Sequence, residues 1–330
     1  MTSQLERNPY AHVRGFNYIP SYAFVLNDVM DQFQFAVWER EFAYAEALGA
    51  NSLRIWFSSV SFHRNEGRFL KQAESIVGLA AKYRLTLVPT LYNRWTDVNY
   101  PFGQMDLGEV LRDEISDRHA VYITRFMSSF RHDPTILMWD LCNEPFYYPK
   151  FAGVEAMLPA FYKQEQQFWL HCTAIAKSVQ AAQPITFGLL GAPSPHLEEL
   201  YRAMDVISFH PYPGWWDGTY ANGVESFIAL ANRLGKPLLC NETLQGSLDD
   251  EVRRSCIESS LQVLQSYQIG WYAWQLCAGE MVSARRDRTD RNARPGDRGY
   301  MPFVLEDGSV RPGHDIIKAY NKGTGTEAAQ

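Results

Sequence analysis

Short apolar runs alternate with segments of helical apolar rhythm through almost the whole of this 330-residue chain. Eight of the runs have the length and residue types of buried strands. These predicted strands cover residues 14–20, 51–57, 85–93, 136–144, 185–191, 206–212, 237–243 and 270–277. Between them, the apolar rhythm predicts helices over residues 35–48, 69–83, 118–130, 161–181, 224–234 and 251–267. Such alternation is typical of a parallel sheet covered by helices.

Eight strand and helix units favour a closed barrel over an open, doubly wound sheet. An open nucleotide-binding sheet usually carries a glycine-rich turn, and neither GxGxxG nor GxxxxGK[ST] follows any predicted strand. We therefore predict an α/β fold, a single-domain (β/α)8 TIM barrel, over residues 14–322. Residues 1–13 are then an N-terminal extension, and residues 323–330 are predicted to be a disordered tail.

The charge and hydropathy of the chain exclude several classes of partner. A net charge of −6 and a pI near 5.8 give the surface no general attraction for nucleic acid. No segment approaches the roughly 20 apolar residues of a membrane span, and the N-terminus lacks the apolar stretch of a signal peptide. We expect a soluble, cytoplasmic protein, or a secreted one if a signal has been removed. The odd count of five cysteines implies no disulfide framework, and the oligomeric state stays open.

Two glutamates stand at the ends of predicted strands. Glu144 closes the strand 136–144, directly before Pro145, and Glu242 lies at the end of the strand 237–243. The active site of a barrel of this class lies at the C-terminal ends of its strands, so both side chains are expected to face one pocket. Cleavage of an acetal needs one protonated and one ionised carboxyl group. The pair therefore suggests acid/base and nucleophile chemistry on a glycosidic bond.

The other strand ends are rich in polar and aromatic side chains. An arginine and a tyrosine beside a carboxylate would hold it ionised, an asparagine could bind a sugar hydroxyl, and a tryptophan offers a flat face to a sugar ring. The predicted substrate-binding residues are Arg54, Tyr92, Asn143, His210, Tyr212, Trp215, Trp216 and Trp274. Structural alternatives stay open for several of them: a charge paired in the barrel mouth for the arginine, and core packing for the histidine and the tryptophans.

With these residues, the chain resembles the retaining glycoside hydrolases of the large (β/α)8 clan, and it looks closest to the family 5 cellulases and mannanases. Asn143-Glu144-Pro145 after the fourth strand and Glu242 after the seventh match the two signature positions of that clan. The resemblance implies that Glu144 is the general acid/base and that Glu242 is the nucleophile.

The resemblance also implies roles for the neighbours of these carboxylates. Arg54 and Tyr212 would hydrogen-bond the nucleophile, Asn143 would contact the sugar 2-hydroxyl, and Trp274 would form the floor of the subsite that holds the cleaved sugar. His210-Pro211-Tyr212 fits the His-x-Tyr stretch of the family. The resemblance covers residues 14–320, nearly the whole chain.

Two features depart from the family pattern. Tyr92-Asn93 ends the third strand where members often carry a histidine, and Glu242-Thr243-Leu244 replaces the common Glu-[Phe/Tyr]-Gly. The resemblance therefore does not identify the subfamily, the sugar, or endo against exo action.

Other titratable groups compete for a role. Asp140 lies four residues before Glu144, on the same side of its strand, and we interpret it as a group that tunes a partner. Glu280 follows the eighth strand and could reach a substrate. The eight histidines are scattered, without HExxH or another pair at ligand spacing. We predict no required metal and no cofactor.

Two further alternatives stay open. The segment 285–298 carries six arginines and three aspartates; we interpret it as a solvated loop, and a substrate lid or a clamp for an acidic sugar or a partner subunit is the functional alternative. For the whole chain, a barrel that binds carbohydrate without cleaving it is the alternative to a hydrolase, and a transglycosylase would use the same residues.

Overall fold

A computed structural model of the protein describes residues 8–93, 113–146, 158–212, 219–279 and 301–322. Within them, eight parallel strands form one closed barrel in chain order. The strands are β1 (Arg14–Tyr18), β2 (Ser52–Trp56), β3 (Thr86–Asn93), β4 (Trp139–Asn143), β5 (Ile185–Leu190), β6 (Ile207–His210), β7 (Leu238–Thr243) and β8 (Gly270–Ala273). Pairing of β1 with β8, with Arg14 opposite Trp271, closes the cylinder. The prediction of a (β/α)8 TIM barrel is confirmed.

Helices connect successive strands. They are α1 (Asp28–Asp31), α2 (Phe35–Ala47), α3 (Ser59–Arg64), α4 (Glu66–Lys82), α5 (Asp113–Ser129), α6 (Leu158–Ser178), α7 (Glu198–Ala203), α8 (Tyr220–Leu234), α9 (Asp250–Ser266) and α10 (Ile317–Lys322). The six longest occupy the segments predicted to be helical, whereas the short helices α1, α3, α7 and α10 were not predicted. Local chemistry sets their ends: the Asp249 carboxylate caps the first N–H groups of α9, and Gly235 ends α8 with a φ of 62°.

The interior of the barrel is apolar in one layer and polar in the next. The apolar side chains that pack together in a cluster of their own are Val13, Val88, Met138, Val206, Leu239 and Tyr272. Beneath them, Asn8 Nδ2 donates to the carbonyl oxygens of Leu238 (2.8 Å) and Gln268 (3.2 Å), so residues 8–13 cover the N-terminal end. The fully buried polar side chains beyond that cluster include Asn17, Arg54, Thr90, Asp140 and Asn241. The polar layer therefore underlies the end where the strands terminate.

Two further findings concern the cysteines and the helices. All five cysteines lie within the described residues as free thiols. None of the described helices combines the length and the apolar character needed to cross a bilayer. The domain bounds stay predictions, and the predicted tail, 323–330, lies outside the described residues.

Three buried histidines make the folding stability of the barrel depend on pH. Burial lowers the pKa of His119, whose Nδ1 lies 2.6 Å from the Tyr92 hydroxyl, to about 4. Burial lowers the pKa of His210 and that of His314 to about 4 as well. Because an unfolded histidine titrates near pH 6.5, the unfolded state takes up these protons first. The stabilisation is therefore present above about pH 6.5 and is lost as the pH falls towards 4.

We expect the free energy of unfolding to fall between pH 7 and pH 5 by about 2 kcal/mol for each of these histidines. Urea titrations at several pH values measure this change. His119→Gln should remove about a third of the contribution of these three histidines. An unaltered slope in His119→Gln would contradict the assignment.

Candidate active site

Glu144 and Glu242 meet at the C-terminal end of the barrel. Glu144 directly follows β4, and Glu242 lies near the end of β7. A carboxylate oxygen of one lies within 4.8 Å of a carboxylate oxygen of the other. Both residues are buried but not sealed, with 5% and 7% of their surface exposed. Nearly a hundred positions apart in sequence, the two carboxylates thus face one small volume.

Local backbone irregularities aim both carboxylates. The pairing of β4 with β5 shifts register between Asp140 and Asn143, and the pairing of β7 with β8 shifts between Cys240 and Thr243. Such bulges often re-aim a side chain beside an active site. Glu144 also has a φ of 51°, in the left-handed region that a residue with a Cβ seldom adopts. Its N–H donates to the Gly188 carbonyl at 2.8 Å, which helps to hold this backbone conformation.

Arg54 of β2 connects the groups at the base of the site. Its Nε donates to Asp140 Oδ2 at 2.8 Å, and its Nη2 lies 2.7 Å from the same oxygen. Nη1 donates to Asn17 Oδ1 (3.0 Å) and Glu242 Oε2 (3.1 Å), and Nη2 also donates to Asn143 Oδ1 at 2.7 Å. Burial lowers the pKa of this guanidinium, but the surrounding carboxylates outweigh burial and raise it. Arg54 is therefore a fixed positive charge beside Glu242.

Two donors hold the carboxylate of Glu242. Arg54 binds Oε2, and the Tyr212 hydroxyl donates to Oε1 at 3.0 Å. Burial raises the pKa of Glu242 and the nearby Glu144 raises it further, whereas His210, Arg54 and Tyr212 act to lower it. Two acids this close cannot both ionise easily. Because Glu242 receives the guanidinium and the phenol, it is the better placed of the two to carry the negative charge.

His210 of β6 contacts the other carboxylate. Its Nδ1 lies 2.8 Å from Glu144 Oε1 and 3.8 Å from Glu242 Oε2. With its pKa lowered to about 4 by burial, the ring is neutral above about pH 5. A neutral ring can accept a hydrogen bond from protonated Glu144 or donate one to the ionised form, according to its tautomer. The site therefore offers Glu144 a partner for both of its protonation states.

Asn143 and Trp274 lie beside this pair. Asn143 Oδ1 accepts from Arg54, and its Nδ2 donates to Asn93 Oδ1 at 3.0 Å. The ring of Trp274 is partly exposed and meets Trp56 edge to face, with the ring centroids 5.2 Å apart. Trp56 in turn lies against the Arg54 guanidinium, 4.7 Å from ring centroid to Cζ. The rings of Trp56 and Trp274 therefore lie on one side of the cluster formed by Arg54 and its carboxylate partners.

Tyr92, one of the predicted substrate-binding residues, lies among the helices that surround the barrel. Its side chain is fully buried and packs against His119 and Tyr122 of α5 and Trp169 of α6. Its neighbour Asn93 is the residue of that strand end that reaches the cluster, through Asn143. The structure therefore places Tyr92 in the layer between the barrel and its helices, away from the expected substrate cleft.

Trp215 and Trp216, Glu280 and the arginine-rich segment 285–298 lie outside the described residues. Asp140, considered above as a competing carboxylate, is fully buried and bound to Arg54.

Sequence reasoning also missed three residues that contact Asp140 at the base of the site: Thr90, Gly188 and Asn241. The repeated Asn-Glu dipeptide, Asn143-Glu144 and Asn241-Glu242, was the one signal that could have indicated the last of them.

Comparison with known proteins finds similar three-dimensional structures but no similar sequence. No protein-family model matches the chain, and no curated protein matches its sequence. Among solved structures, the hyperthermostable endo-1,4-β-D-mannanase from Thermotoga petrophila RKU-1 matches with a TM-score of 0.67 and 18% identity, over 94% of this chain and 99% of that one. The exo-β-1,4-mannosidase Op5Man5 from Opitutaceae bacterium strain TAV5 gives 0.71 and 15%, over 94% of this chain and 59% of that one.

A third similar structure is the β-glucuronidase 2 of Bacteroides uniformis, with a TM-score of 0.67 and 16% identity. It is matched over 94% of this chain and 35% of its own length. This chain therefore spans 59% of the exo-mannosidase and about a third of the glucuronidase. At such identities the likeness establishes the barrel fold.

Proposed function

We propose that the protein is a retaining β-glycoside hydrolase that cleaves β-linked oligosaccharides or polysaccharides by double displacement. The observation that carries the proposal is the approach of the Glu144 and Glu242 carboxylates to within 4.8 Å in a buried polar site. Retaining enzymes hold their two carboxyl groups about 5 to 5.5 Å apart, whereas inverting enzymes leave about 6.5 to 9.5 Å for a water molecule. The short separation favours retention. The glycoside hydrolase names of structures that share the fold support the same class.

In the first step, a carboxylate oxygen of Glu242 attacks the anomeric carbon. Glu144 gives its proton to the glycosidic oxygen, the bond from that oxygen to the anomeric carbon breaks, and the sugar is left as an ester of Glu242. Arg54 and Tyr212 hold the attacking group in its ionised form. His210 holds Glu144 in place through the contact at Oε1.

In the second step, Glu144 acts as a base. It takes a proton from water as the water oxygen attacks the anomeric carbon, and the ester bond to Glu242 breaks. Two inversions at one carbon give net retention, and both carboxyl groups return to their starting states. A sugar in place of water as the acceptor gives transglycosylation from the same residues.

A panel of aryl β-glycosides tests the proposal. The panel should contain mannoside, glucoside, xyloside, galactoside and glucuronide, because the sugar is not known. We expect turnover of at least one member, with the β-anomer of the product appearing first by NMR. Initial formation of the α-anomer would contradict the retaining mechanism, and sugar binding without any turnover would favour the carbohydrate-binding alternative.

A chelator should leave the activity intact. One oxygen each of Glu144 and Glu242 and one ring nitrogen of His210 lie within 4.8 Å of one another, close enough to hold a cation. Arg54 Nη1, however, is already hydrogen-bonded to the Glu242 oxygen that faces His210. We therefore expect dialysis against EDTA to change kcat/KM less than twofold, and a loss that zinc or magnesium restores would contradict the prediction of no required metal.

Gly188 of β5 leaves room for the cluster. A Cβ at this position would lie 2.6 Å from Arg54 Nη2, 2.7 Å from His210 Nε2 and 3.0 Å from Asn241 Nδ2. Since Arg54 is held by several hydrogen bonds, it cannot move aside at low cost. We expect Gly188→Ala to lower the free energy of unfolding by about 1 to 3 kcal/mol and kcat/KM by at least about tenfold.

A matched glycine controls for this substitution. A Cβ at Gly78, on the exposed side of α4, meets nothing within 4 Å. Gly78→Ala should therefore keep full activity and leave stability equal or slightly higher. Wild-type kinetics in Gly188→Ala would contradict the close packing at the base of the site.

A further inference from the structure

Asp140 lies beneath the two carboxylates, and both of its carboxylate oxygens accept hydrogen bonds. It is fully buried in β4, four residues before Glu144. Its Oδ2 is contacted by Arg54 through Nε (2.8 Å) and Nη2 (2.7 Å), by the Thr90 hydroxyl (3.1 Å) and by Asn241 Nδ2 (3.3 Å). Its Oδ1 accepts from the Gly188 N–H at 3.1 Å. These contacts come from β2, β3, β5 and β7, so the carboxylate ties together four strands besides its own.

We propose that Asp140 is a positioning residue that neutralises part of the positive charge of Arg54. Arg54 can then hold Glu242 in place, while Glu144 keeps the proton that it must donate near neutral pH. The inference deepens the proposed glycoside hydrolase and rests on it. Asp140 itself does not react, because its buried oxygens face the base of the site and are occupied by donors.

Electrostatics gives the direction of the effect. Arg54 contacts Asp140 on one side and Glu242 on the other. Without Asp140, the whole positive charge of Arg54 would act on the two glutamates, and an uncompensated positive charge favours their ionised forms. The pKa values of Glu144 and Glu242 would both fall. The pKa of Glu144 matters most, because a group that is too acidic has lost its proton before it can give it to the leaving oxygen.

Other charged or titratable groups face this cluster from the surrounding elements. Within the described residues they include Arg54 on β2, Glu144 after β4, His210 on β6, Tyr212 after β6, Cys240 and Glu242 on β7, Tyr272 on β8 and Arg253 of α9, whose charge acts on Tyr212. Burial lowers the pKa of His210 and raises the pKa of Tyr212, of Cys240 and of Tyr272, so these four stay neutral near pH 7. The charge balance around the two glutamates is therefore set by the Arg54 guanidinium and three carboxyl groups.

The pH profile of Asp140→Asn tests the proposal. The ascending limb of kcat/KM reports ionisation of the nucleophile and the descending limb reports loss of the proton from the acid, as apparent values of the coupled pair. We expect both limbs to move towards acid by about one pH unit, with kcat at the new optimum reduced about tenfold or more. Loosened packing alone would lower kcat without moving both limbs in the same direction.

Two variants separate charge from structure. Thr90→Val removes one hydrogen bond to Asp140 but keeps the charge of Asp140. Both limbs of the pH profile should therefore stay within about 0.3 pH units of wild type. Asp140→Glu keeps the charge and displaces it, so it should lower kcat while leaving the limbs in place. If Asp140→Asn does not fold, this second variant still decides, because displaced limbs in Asp140→Glu would overturn the proposal.

A substrate-free measurement distinguishes failure of this inference from failure of the proposed function. Titration of ¹³C-carboxyl-labelled glutamate by NMR, assigned with Glu144→Gln and Glu242→Gln, reports the same ionisations without turnover. We expect Asp140→Asn to lower both titration midpoints. Unmoved midpoints would overturn the role of Asp140 even if the protein hydrolyses glycosides, whereas lowered midpoints in a protein that cleaves no glycoside would refute only the proposed function.

Discussion

Glu242→Ala is expected to abolish hydrolysis, with kcat reduced on the order of 10⁴-fold or more for every substrate of the panel. In the proposed mechanism the substitution removes the atom that forms the ester bond, and no other described carboxylate stands at the same place. Arg54 and Tyr212, which bind Glu242, would face the vacated volume. Initial rates with an aryl β-glycoside measure the effect, and Glu74→Ala on the exposed side of α4 serves as the control that should keep full activity.

Addition of azide to the Glu242→Ala variant gives a second test of the nucleophile. A small anion that occupies the vacated volume beside Arg54 should attack the anomeric carbon from the same side as Glu242 did. We therefore expect azide to restore part of the activity of Glu242→Ala and to give an α-glycosyl azide. Wild-type rates in this variant without any added anion would end the assignment of the nucleophile.

Glu144→Ala should have an effect that depends on the leaving group. A dinitrophenolate leaves without help from an acid, so ester formation should proceed within about tenfold of wild type, whereas natural glycosides should lose at least about 10³-fold. Breakdown of the ester also slows, because water loses its base. We expect a burst of dinitrophenol followed by slow turnover, measured by stopped-flow absorbance.

Two features of the Glu144→Ala variant make its test specific. The descending limb of the pH profile should disappear, since that limb reports the proton of Glu144. Azide needs no base, so it should speed the second step and give a β-glycosyl azide. An equal loss of rate for good and poor leaving groups would contradict the acid/base role.

The barrel itself could be predicted because each unit repeats the same two signals. The apolar run 51–57 contains β2 (Ser52–Trp56), and the amphipathic stretch 35–48 contains α2 (Phe35–Ala47). Eight such units have few ways to bury their strands other than by closing the sheet. Closure then brings Glu144 and Glu242 to the same end. The approximate site thus follows from topology alone.

The orientation of individual side chains was harder to predict. Tyr92 and Asn93 both stand at the end of β3, and neighbouring side chains of a strand point to opposite faces. The sequence does not say which of them faces the cleft, and the structure assigns that place to Asn93. The bulges before Asn143 and Thr243 shift the alternation further, and they leave no mark in the pattern of apolar residues.

Three residues at the base of the site were missed for a different reason. Thr90, Gly188 and Asn241 act through contacts with Asp140 and Arg54, which lie on distant parts of the chain. In the sequence, a glycine in the middle of an apolar run indicates only a less stable part of a strand. Only the assembled barrel shows that its missing side chain makes room for a guanidinium and an imidazole.

Trapping the glycosyl ester tests the central claim most directly. A 2-deoxy-2-fluoro glycoside with a dinitrophenyl leaving group should form the ester faster than it breaks down, because fluorine slows both steps and the good leaving group restores the first. Intact mass should then rise by one fluorosugar, and peptide mapping should place the sugar on Glu242. A sugar on Glu144 or on any other residue would contradict the account, as would turnover by the wild type with no ester detected under any of these conditions.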